Sequence, residues 1–454
     1  MKIIIVGAGE VGYNIAGRLA SENKQVIVID KNPDAVRRLS ERLDVQVILA
    51  SGSNPKILID AGIKETDILL AVTDSDETNL VTCLMADLIS PTTKKLARIR
   101  NSDFDSYYDR FKKENPHIDT IINPEIEVVN TIKRLMVVPG AVDVGDFADG
   151  RVKYVGIRLD RHSPMAGMKL FDFSLKFGED RPLIAAIIRN NEVIVPKGDN
   201  NIESGDLIYF VSETEKLEKM LTLFGKKIIP IQRALIIGGG RIGERLAKSF
   251  ETDSIKTKII ESDIGRCHYL SERMEKTVVL HGDGSDQKLF LEENCGQNDV
   301  VVSVTNDDET NILVSLLAKN MGVKNTITRI GKSTYFPLLA TIGIEKVVSP
   351  RLSAVSSILK EVRKGKVLSD MSILGGRGEF IEAIALETSD ITDQPLKKIS
   401  FPKGAILVCI LRNGQIMIPA GNSVVNPNDR IIMFAVKHAV KKLEKLLTVK
   451  LDFF

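Results

Sequence analysis

Apolar positions in the first part of the chain follow two alternating rhythms. Ile3–Val6 is a short β-branched run, the pattern of a parallel strand buried on both faces. From Ile15 through Ala16 to Leu19 the spacing turns helical, and Val26–Ile29 is apolar again. The alternation continues. Asn32-Pro33-Asp34 starts a helix with Val36, Leu39 and Leu43 on one face, Val45–Ala50 is a strand, and Pro55, Ile57, Leu58 and Ala61 mark another helix. Ile68–Val72 is a strand, Asp76–Leu88 a helix with Leu80, Leu84 and Leu88 in line, and Leu96–Arg100 and Ile118–Ile122 are further strands. A helix over Ile126–Met136 then leads to Pro139-Gly140, where a boundary is expected. Strict strand–helix alternation predicts a doubly wound parallel sheet.

From Arg151 to Phe224 the texture changes to short strands, Lys153–Leu159, Leu183–Arg189 and Leu207–Val211, with a helix over Glu213–Leu223. Asn190-Asn191 reads as the tight turn of a hairpin into Glu192-Val193-Ile194-Val195. This stretch predicts a small α+β domain. The whole pattern then starts again. Arg233–Ile237 repeats the first strand, Ser303–Ile312 repeats Ala71–Leu80 almost letter for letter, Thr328-Arg329-Ile330 repeats Ala97-Arg98-Ile99, and Leu411–Pro419 repeats Ile188–Pro196. Gly421 and Asp429 match Gly198 and Asp206. The chain is therefore a tandem duplication, each half a nucleotide-type α/β domain followed by a small α+β domain.

Both first strands run into a glycine turn. Gly7-Ala8-Gly9-Glu10-Val11-Gly12 leads into a helix, and the next strand ends on Asp30; Gly238-Gly239-Gly240-Arg241-Ile242-Gly243 is the second copy, with Glu261 at the position of Asp30. In a dinucleotide fold the first glycine allows the turn, the second lets a pyrophosphate approach the backbone and the third lets helix and strand pack closely. The helix N-terminus attracts phosphate, and the acid accepts from ribose hydroxyls. Other repeated residues fall at carboxyl ends of strands. Thr73 and Thr305 can bond a ligand or cap the helix that follows. Arg98 and Arg329, inside apolar runs, need a partner, which can be a phosphate oxygen or, for Arg98, Asp30 or Asp74. Gly52 and Gly282 end the third strands, either in the path of an adenine or as plain turn glycines; in this alignment Asp283 has Ser53 as its counterpart, and His281 has Ser51. The acidic stretches Asp74–Glu77 and Asn306–Glu309 suit a helix N-terminus without a metal, and neither a repeated base–nucleophile pair nor metal-ligand spacing is present.

Composition narrows the function. The chain has 454 residues, 43% hydrophobic and 27% charged, with a formal net charge of +2. Trp is absent, so neither net charge nor stacking surfaces favour nucleic acid. No apolar run is long enough to cross a bilayer, the N-terminus reads as a strand, and Cys83, Cys267, Cys295 and Cys409 lie far apart, as reduced cytoplasmic thiols do.

On GAGEVG with Asp30, VTDSDETN, the strand ending in Arg98 and their second copies, the chain resembles the TrkA family of bacterial potassium-uptake regulators over essentially its whole length. The resemblance implies two RCK-N (KTN) nucleotide-binding domains, 1–138 and 227–364, alternating with two RCK-C domains, 139–226 and 365–454. It implies a non-enzymatic regulator on the inner face of the plasma membrane, controlling a TrkH/TrkG-like potassium-translocating subunit. NAD(H), with ATP or ADP as further ligands, would bias a ring of RCK domains built by a homo-oligomer, expected to be a tetramer. Gly7, Gly9, Gly12, Asp30, Thr73 and Arg98 would form one site, and Gly238, Gly240, Gly243, Glu261, Thr305 and Arg329 the other. The apolar positions Ile126, Val129, Ile132 and Leu135 are expected to offer an exposed stripe for assembly. The competing reading is an NAD-dependent oxidoreductase or redox-sensing enzyme.

Overall fold

A computed structural model describes residues 1–447 apart from 115–116, 179–180, 191, 340, 363–366 and 374–376. The chain divides into two units, Met1–Glu127 with Pro350–Lys364, and Val128–Ser349 with Gly365–Phe454. The expected boundary at 364/365 and Asn191 of the expected turn lie outside the described residues.

The first unit contains β1 (Lys2–Val6), α1 (Glu10–Ser21), β2 (Gln25–Asp30), α2 (Pro33–Arg42), β3 (Gln46–Leu49) and α3 (Pro55–Asp60). There follow β4 (Ile68–Ala71), α4 (Asp76–Ile89), β5 (Lys94–Arg98), α5 (Tyr108–Lys113) and β6 (Thr120–Ile122). The sheet is wholly parallel, in the order β3-β2-β1-β4-β5-β6. Strand order reverses between β1 and β4, so a crevice opens at their carboxyl ends. Ile3, Ile4 and Ile5 are fully buried, as a strand covered by helices on both faces must be. The expected strand Leu96–Arg100 sits two residues earlier, which makes Arg98 the last residue of β5.

The next helix, α6 (Pro124–Val137), leaves this unit. In the second unit it leads into a small sheet built from β7 (Ala141–Phe147), β8 (Val152–Arg158), α7 (Leu170–Phe177), β9 (Leu183–Arg189), β10 (Glu192–Ile194), β11 (Leu207–Glu213) and α8 (Leu217–Leu223). The sheet is antiparallel, in the order β10-β9-β11-β8-β7. The β9–β10 hairpin forms as expected, with Asn190 at φ 50°. The second nucleotide-type sheet has the strands β12 (Arg233–Ile237), β13 (Lys256–Glu261), β14 (Val278–His281), β15 (Val300–Ser303), β16 (Asn325–Arg329) and β17 (Lys346–Val348). Its helices are α9 (Arg241–Thr252), α10 (Ile264–Ser271), α11 (Gln287–Glu292), α12 (Asp308–Asn320) and α13 (Phe336–Leu339), while α14 (Pro350–Val362), next in sequence, belongs to the first unit. The order β14-β13-β12-β15-β16-β17 repeats that of the first sheet. A second antiparallel sheet, β18-β19-β22-β20-β21, closes the chain with β18 (Val367–Ile373), β19 (Gly378–Ile384), β20 (Ala405–Arg412), β21 (Gln415–Met417), β22 (Arg430–Val436) and α15 (Lys437–Leu447). The small sheets share one apolar cluster, in which Tyr154 stacks on Phe380 with ring centroids 4.8 Å apart.

The two halves exchange helices. Val128, Val129, Ile132, Leu135 and Met136 of α6 join the core containing Ile236, Leu246 and Phe250, and Lys133 Nζ donates to Ser249 Oγ at 2.7 Å and pairs with Asp253 at 2.8 Å. In return, Ala354, Ile358, Leu359 and Val362 of α14 pack with Ile15, Leu19 and Leu96 of the first unit. Glu361 of α14 accepts from Lys94 Nζ at 3.2 Å and Thr120 Oγ1 at 3.1 Å. Burying Ile358, Leu359 and Val362 contributes about 5–9 kcal/mol of transfer free energy to the first unit. The expectation of an exposed stripe on α6 is therefore corrected: Ile132 and Leu135 are at most 1% exposed, because the second half covers them.

Candidate functional site

The glycine turn at the carboxyl end of β1 is built by contacts that exclude side chains. Gly7 has φ +114°, and a Cβ there would lie 2.9 Å from Thr73 N. A Cβ on Gly12 would lie 1.8 Å from the carbonyl oxygen of Gly7, so α1 can approach the strand only without one. At Gly9 a Cβ would meet nothing within 4 Å. Gly238, Gly240 and Gly243 repeat this: φ +102° and 2.9 Å from Thr305 N, open space, and 2.0 Å from the Gly238 oxygen. The middle glycine is thus not needed by the fold, and its freedom serves whatever approaches the turn. Val11 and Ile242 face the core, each 6% exposed, while Glu10 and Arg241 are exposed.

The acid at the end of the second strand braces the turn from below. Asp30 accepts from the Ala8 N–H at 2.5 Å and the Asn32 N–H at 2.7 Å. Glu261 does the same with Gly239 N at 2.7 Å and Asp263 N at 2.9 Å. Each carboxylate thereby ties the glycine turn to the loop that follows its own strand.

Thr73 does not cap α4. Ser75 does, accepting from Thr78 N at 3.1 Å, and Asp307 serves α12 likewise at 2.7 Å. Thr73 is held by Asn79, fully buried, whose Oδ1 accepts from Thr73 N at 2.9 Å and Thr73 Oγ1 at 2.7 Å. Asn79 Nδ2 donates to Thr73 O at 3.1 Å and Arg98 O at 2.8 Å. Asn311 joins Thr305 to Arg329 O by the same bonds. Asn79 and Asn311 stand in the repeated DETN segments and carry no motif; their recurrence at the same place in both copies was the available signal.

Arg98 donates from one guanidinium nitrogen to Thr73 O at 2.8 Å and not to Asp30. Its buried Nε has no hydrogen-bond partner among the described residues, and burial, reinforced by Arg100, pushes its pKa down to about 10. Arg329 likewise donates to Thr305 O. Asp74 stays exposed and offers its carbonyl to Arg100. Asp76 accepts from the N–H groups of Arg100 and Asn101 at 2.9 and 2.8 Å, and Asp308 from Gly331 and Lys332 at 2.8 Å each, so the first-turn acids fasten the loops after β5 and β16.

Strand register corrects one alignment. Asp30 pairs with Leu49 and Glu261 with His281, so Leu49 is the counterpart of His281 and Gly52 that of Gly284, not Gly282. A Cβ at Gly52 would lie 2.2 Å from Val6 Cγ1, and one at Gly284 2.2 Å from Ile237 Cγ2. A Cβ at Gly282 would meet a leucine side chain, Leu289, instead. Asp283, holding Ser285 N at 2.8 Å, therefore faces Ser51, not Ser53, in the first copy. The two-residue offset was hidden because both segments are rich in Gly and Ser.

Two arginines outside the motifs also reach the turns. Arg38 pairs with Glu10 at 2.9 Å and donates to Ala8 O at 3.3 Å; Arg266 pairs with Glu244 at 2.7 Å and donates to Gly239 O at 2.7 Å. Asn32 and Asp263 cap the corresponding helices, so Arg38 and Arg266 occupy different turns of them and no sequence alignment superposes them. Arg351 of α14 lies 3.7 Å from Glu10.

At each turn the first N–H groups of a 12-residue helix lack a side-chain cap, the middle glycine borders open space, and a strand-end arginine lies one residue contact away. These features fit a phosphate-bearing nucleotide. Among the described residues there is no group of three or more metal-ligating side chains, and no helix long and apolar enough to cross a membrane.

Comparison with known proteins agrees with the duplicated layout. The TrkA-N domain family matches residues 3–124 and 234–350, and the TrkA-C domain family residues 154–225 and 380–448. The chain is 36% identical over 458 residues to the Trk system potassium uptake protein TrkA of Azorhizobium caulinodans, covering 100% of both. It is 36% identical to that of Haemophilus influenzae, covering 98% of both, and 38% identical to TrkA homolog 2 of Methanosarcina mazei, covering 98% of this chain and 100% of that one. Among solved structures, the GsuK RCK domain is similar with a TM-score of 0.61 at 16% identity, covering 98% of this chain and 94% of that one. The GsuK channel bound to NAD has a TM-score of 0.60 at 16% identity, covering 98% and 78%.

Proposed function

The chain belongs to the TrkA family of Trk system potassium uptake proteins, and from that premise we propose that it is a nucleotide-responsive regulator of a membrane potassium-translocating subunit. The observation that carries this reading is the duplicated turn, in which open space at Gly9 and Gly240 meets uncapped helix N-termini. The first site comprises Gly7, Gly9, Gly12, Asp30, Thr73 and Arg98, and the second Gly238, Gly240, Gly243, Glu261, Thr305 and Arg329. NAD(H) is the ligand the acids favour, and ATP or ADP can use the same phosphate subsite. A similar solved channel is described as bound to NAD, which supports that choice.

In this reading the nucleotide is an effector and not a substrate. The glycine turn and helix end hold its phosphates, Asp30 or Glu261 its ribose, and the Thr–Asn–Arg network couples the site to the ends of β4 and β5. A ligand moves the regulator only by binding one of its conformations more tightly, and a coupling of about 1–3 kcal/mol is usual. The protein would act as a homo-oligomeric ring, a tetramer in the simplest closure, at the cytoplasmic face of a TrkH/TrkG-like subunit. The test is whether NADH, added to the full chain reconstituted with its membrane subunit in potassium-loaded vesicles, changes the flux. Unchanged flux at saturating NADH would reject an effector role.

Asp30 and Glu261 should repel a 2′-phosphate, so the full chain is expected to bind NADH at least about tenfold more tightly than NADPH. Equal affinities in a calorimetric titration would sink this assignment. Exchanging Glu10→Arg and Arg241→Glu should shift the ATP/NADH affinity ratio by under about 1 kcal/mol, since both positions are exposed and screened. The pairing of Glu10 with Arg38 reduces the effect further in the first site. A shift of several kcal/mol would mean that these side chains touch the phosphates directly.

A further inference from the structure

We propose that the amino-terminal edge of the second parallel sheet, opposite its glycine turn, is a separate site for a small polyanion bearing two or more phosphate groups. A cavity of about 590 Å³ opens there, within the size range of ligand pockets. Its charged lining is Arg233, Lys256, Lys258, Lys276, Glu251 and Glu293. Both acids are occupied. Glu293 pairs with Lys258 at 2.6 Å, and Glu251 accepts from the backbone N–H groups of Lys276 and Thr277 at 2.8 and 2.7 Å. Among the described residues, Arg233, Lys256 and Lys276 have no carboxylate within ion-pair distance. Four cations against two engaged carboxylates leave a surplus of positive charge around a concave surface.

Strand register makes this surplus costly. Arg233 and Lys256 are directly paired on β12 and β13, and like charges so placed oppose sheet formation. The first sheet supplies an internal control, because its register is the same. There Lys2 faces the neutral Gln25 and lies 4.0 Å from Glu65. One step further in, the buried core residue Ile27 of β2 is replaced on β13 by Lys258. The duplicated fold is thus made in the first half without this charge, and the second half gathers it on one edge. An anion resident in the cavity offsets the repulsion. Lysines act on phosphate as point charges and arginine adds a planar fork, a combination suited to several phosphate oxygens. β13 runs for six residues, about 20 Å, between this edge and Glu261, so an occupant of the glycine turn does not reach it.

The test uses the full chain and sodium tripolyphosphate. Lysine acylation is followed by mass spectrometry at low ionic strength, with and without the anion, and exposed Lys64 on the first sheet's equivalent edge is the reference. Lys256 and Lys276 are expected to react about tenfold more slowly with the anion present, as near-saturating occupancy requires, while Lys64 is unaffected. In a variant carrying Arg233→Gln and Lys256→Gln, both exposed positions, the protection of Lys276 should be lost. Equal rates at Lys256 and Lys276 with and without tripolyphosphate would overturn the proposal, as would protection of Lys276 that survives in the variant.

Discussion

Gly9→Ala is expected to fold as the parent protein does yet bind nucleotide at least about tenfold more weakly, whereas Gly12→Ala is expected to lose the turn itself. A methyl at position 9 enters open space, so nothing in the protein resists it, but it occupies the surface on which the phosphates would rest. A methyl at position 12 would lie 1.8 Å from the Gly7 oxygen, a distance that only movement of α1 away from β1 can relieve. Displacing that helix disturbs Ile15, Ala16 and Leu19 in the core, at a cost of about 3 kcal/mol or more. Gly240→Ala and Gly243→Ala should behave as the same pair in the second site. Thermal unfolding and NADH titration of the four variants separate the effects. If Gly9→Ala and Gly240→Ala both leave affinity unchanged, the phosphates do not lie on these turns.

The second large effect concerns Asp143 on β7. Its carboxyl accepts from Tyr154 Oη at 3.2 Å and from Tyr209 Oη at 3.5 Å beneath the aromatic cluster of the small sheets. Burial pushes its pKa up to about 6, against the lowering effect of the Tyr154 and Val144 donors and of Arg134. The native state therefore binds more protons than the unfolded chain between about pH 4 and about pH 6, and stability falls as pH rises through that window. By neutral pH the loss is up to about 3 kcal/mol, an upper bound because water still reaches part of the residue. Asp143→Asn removes the charge and should stabilise the protein above about pH 6 while doing little or some harm near pH 4. Denaturation midpoints of parent and variant across this range would show it. A pH-independent difference would mean that Asp143 does not titrate in the window.

What the sequence showed and what it hid divide along physical lines. The sheets were legible because β-branched runs buried on both faces leave no other reading, and the glycine turns because each glycine has a separate steric task. Asn79 and Asn311 were not, since a hydrogen bond between a helix face and two strand ends has no periodic signature. The charge balance at the turns was also hidden. Arg38 and Arg266 reach equivalent carbonyls from different helical turns, so the duplication that revealed so much else conceals their common task. The exchange of α6 and α14 was beyond reach for a related reason. An apolar stripe specifies burial but not which sheet buries it, and Ile132 and Leu135 read equally well as an assembly surface.

That exchange has a consequence for the covalent chain. Cutting it between the halves would yield two fragments, each missing the helix that closes its parallel sheet and each presenting the other's. Such fragments should recognise one another by reciprocal domain swapping. In the intact chain the linkage replaces an encounter in solution by a fixed effective concentration, so closure of the first sheet does not depend on how much protein is present. The same linkage ties synthesis order to folding. β1 to β6 emerge first, but the part of their apolar face that α14 covers beside α1 stays open until the ribosome has added α14, more than half a chain later.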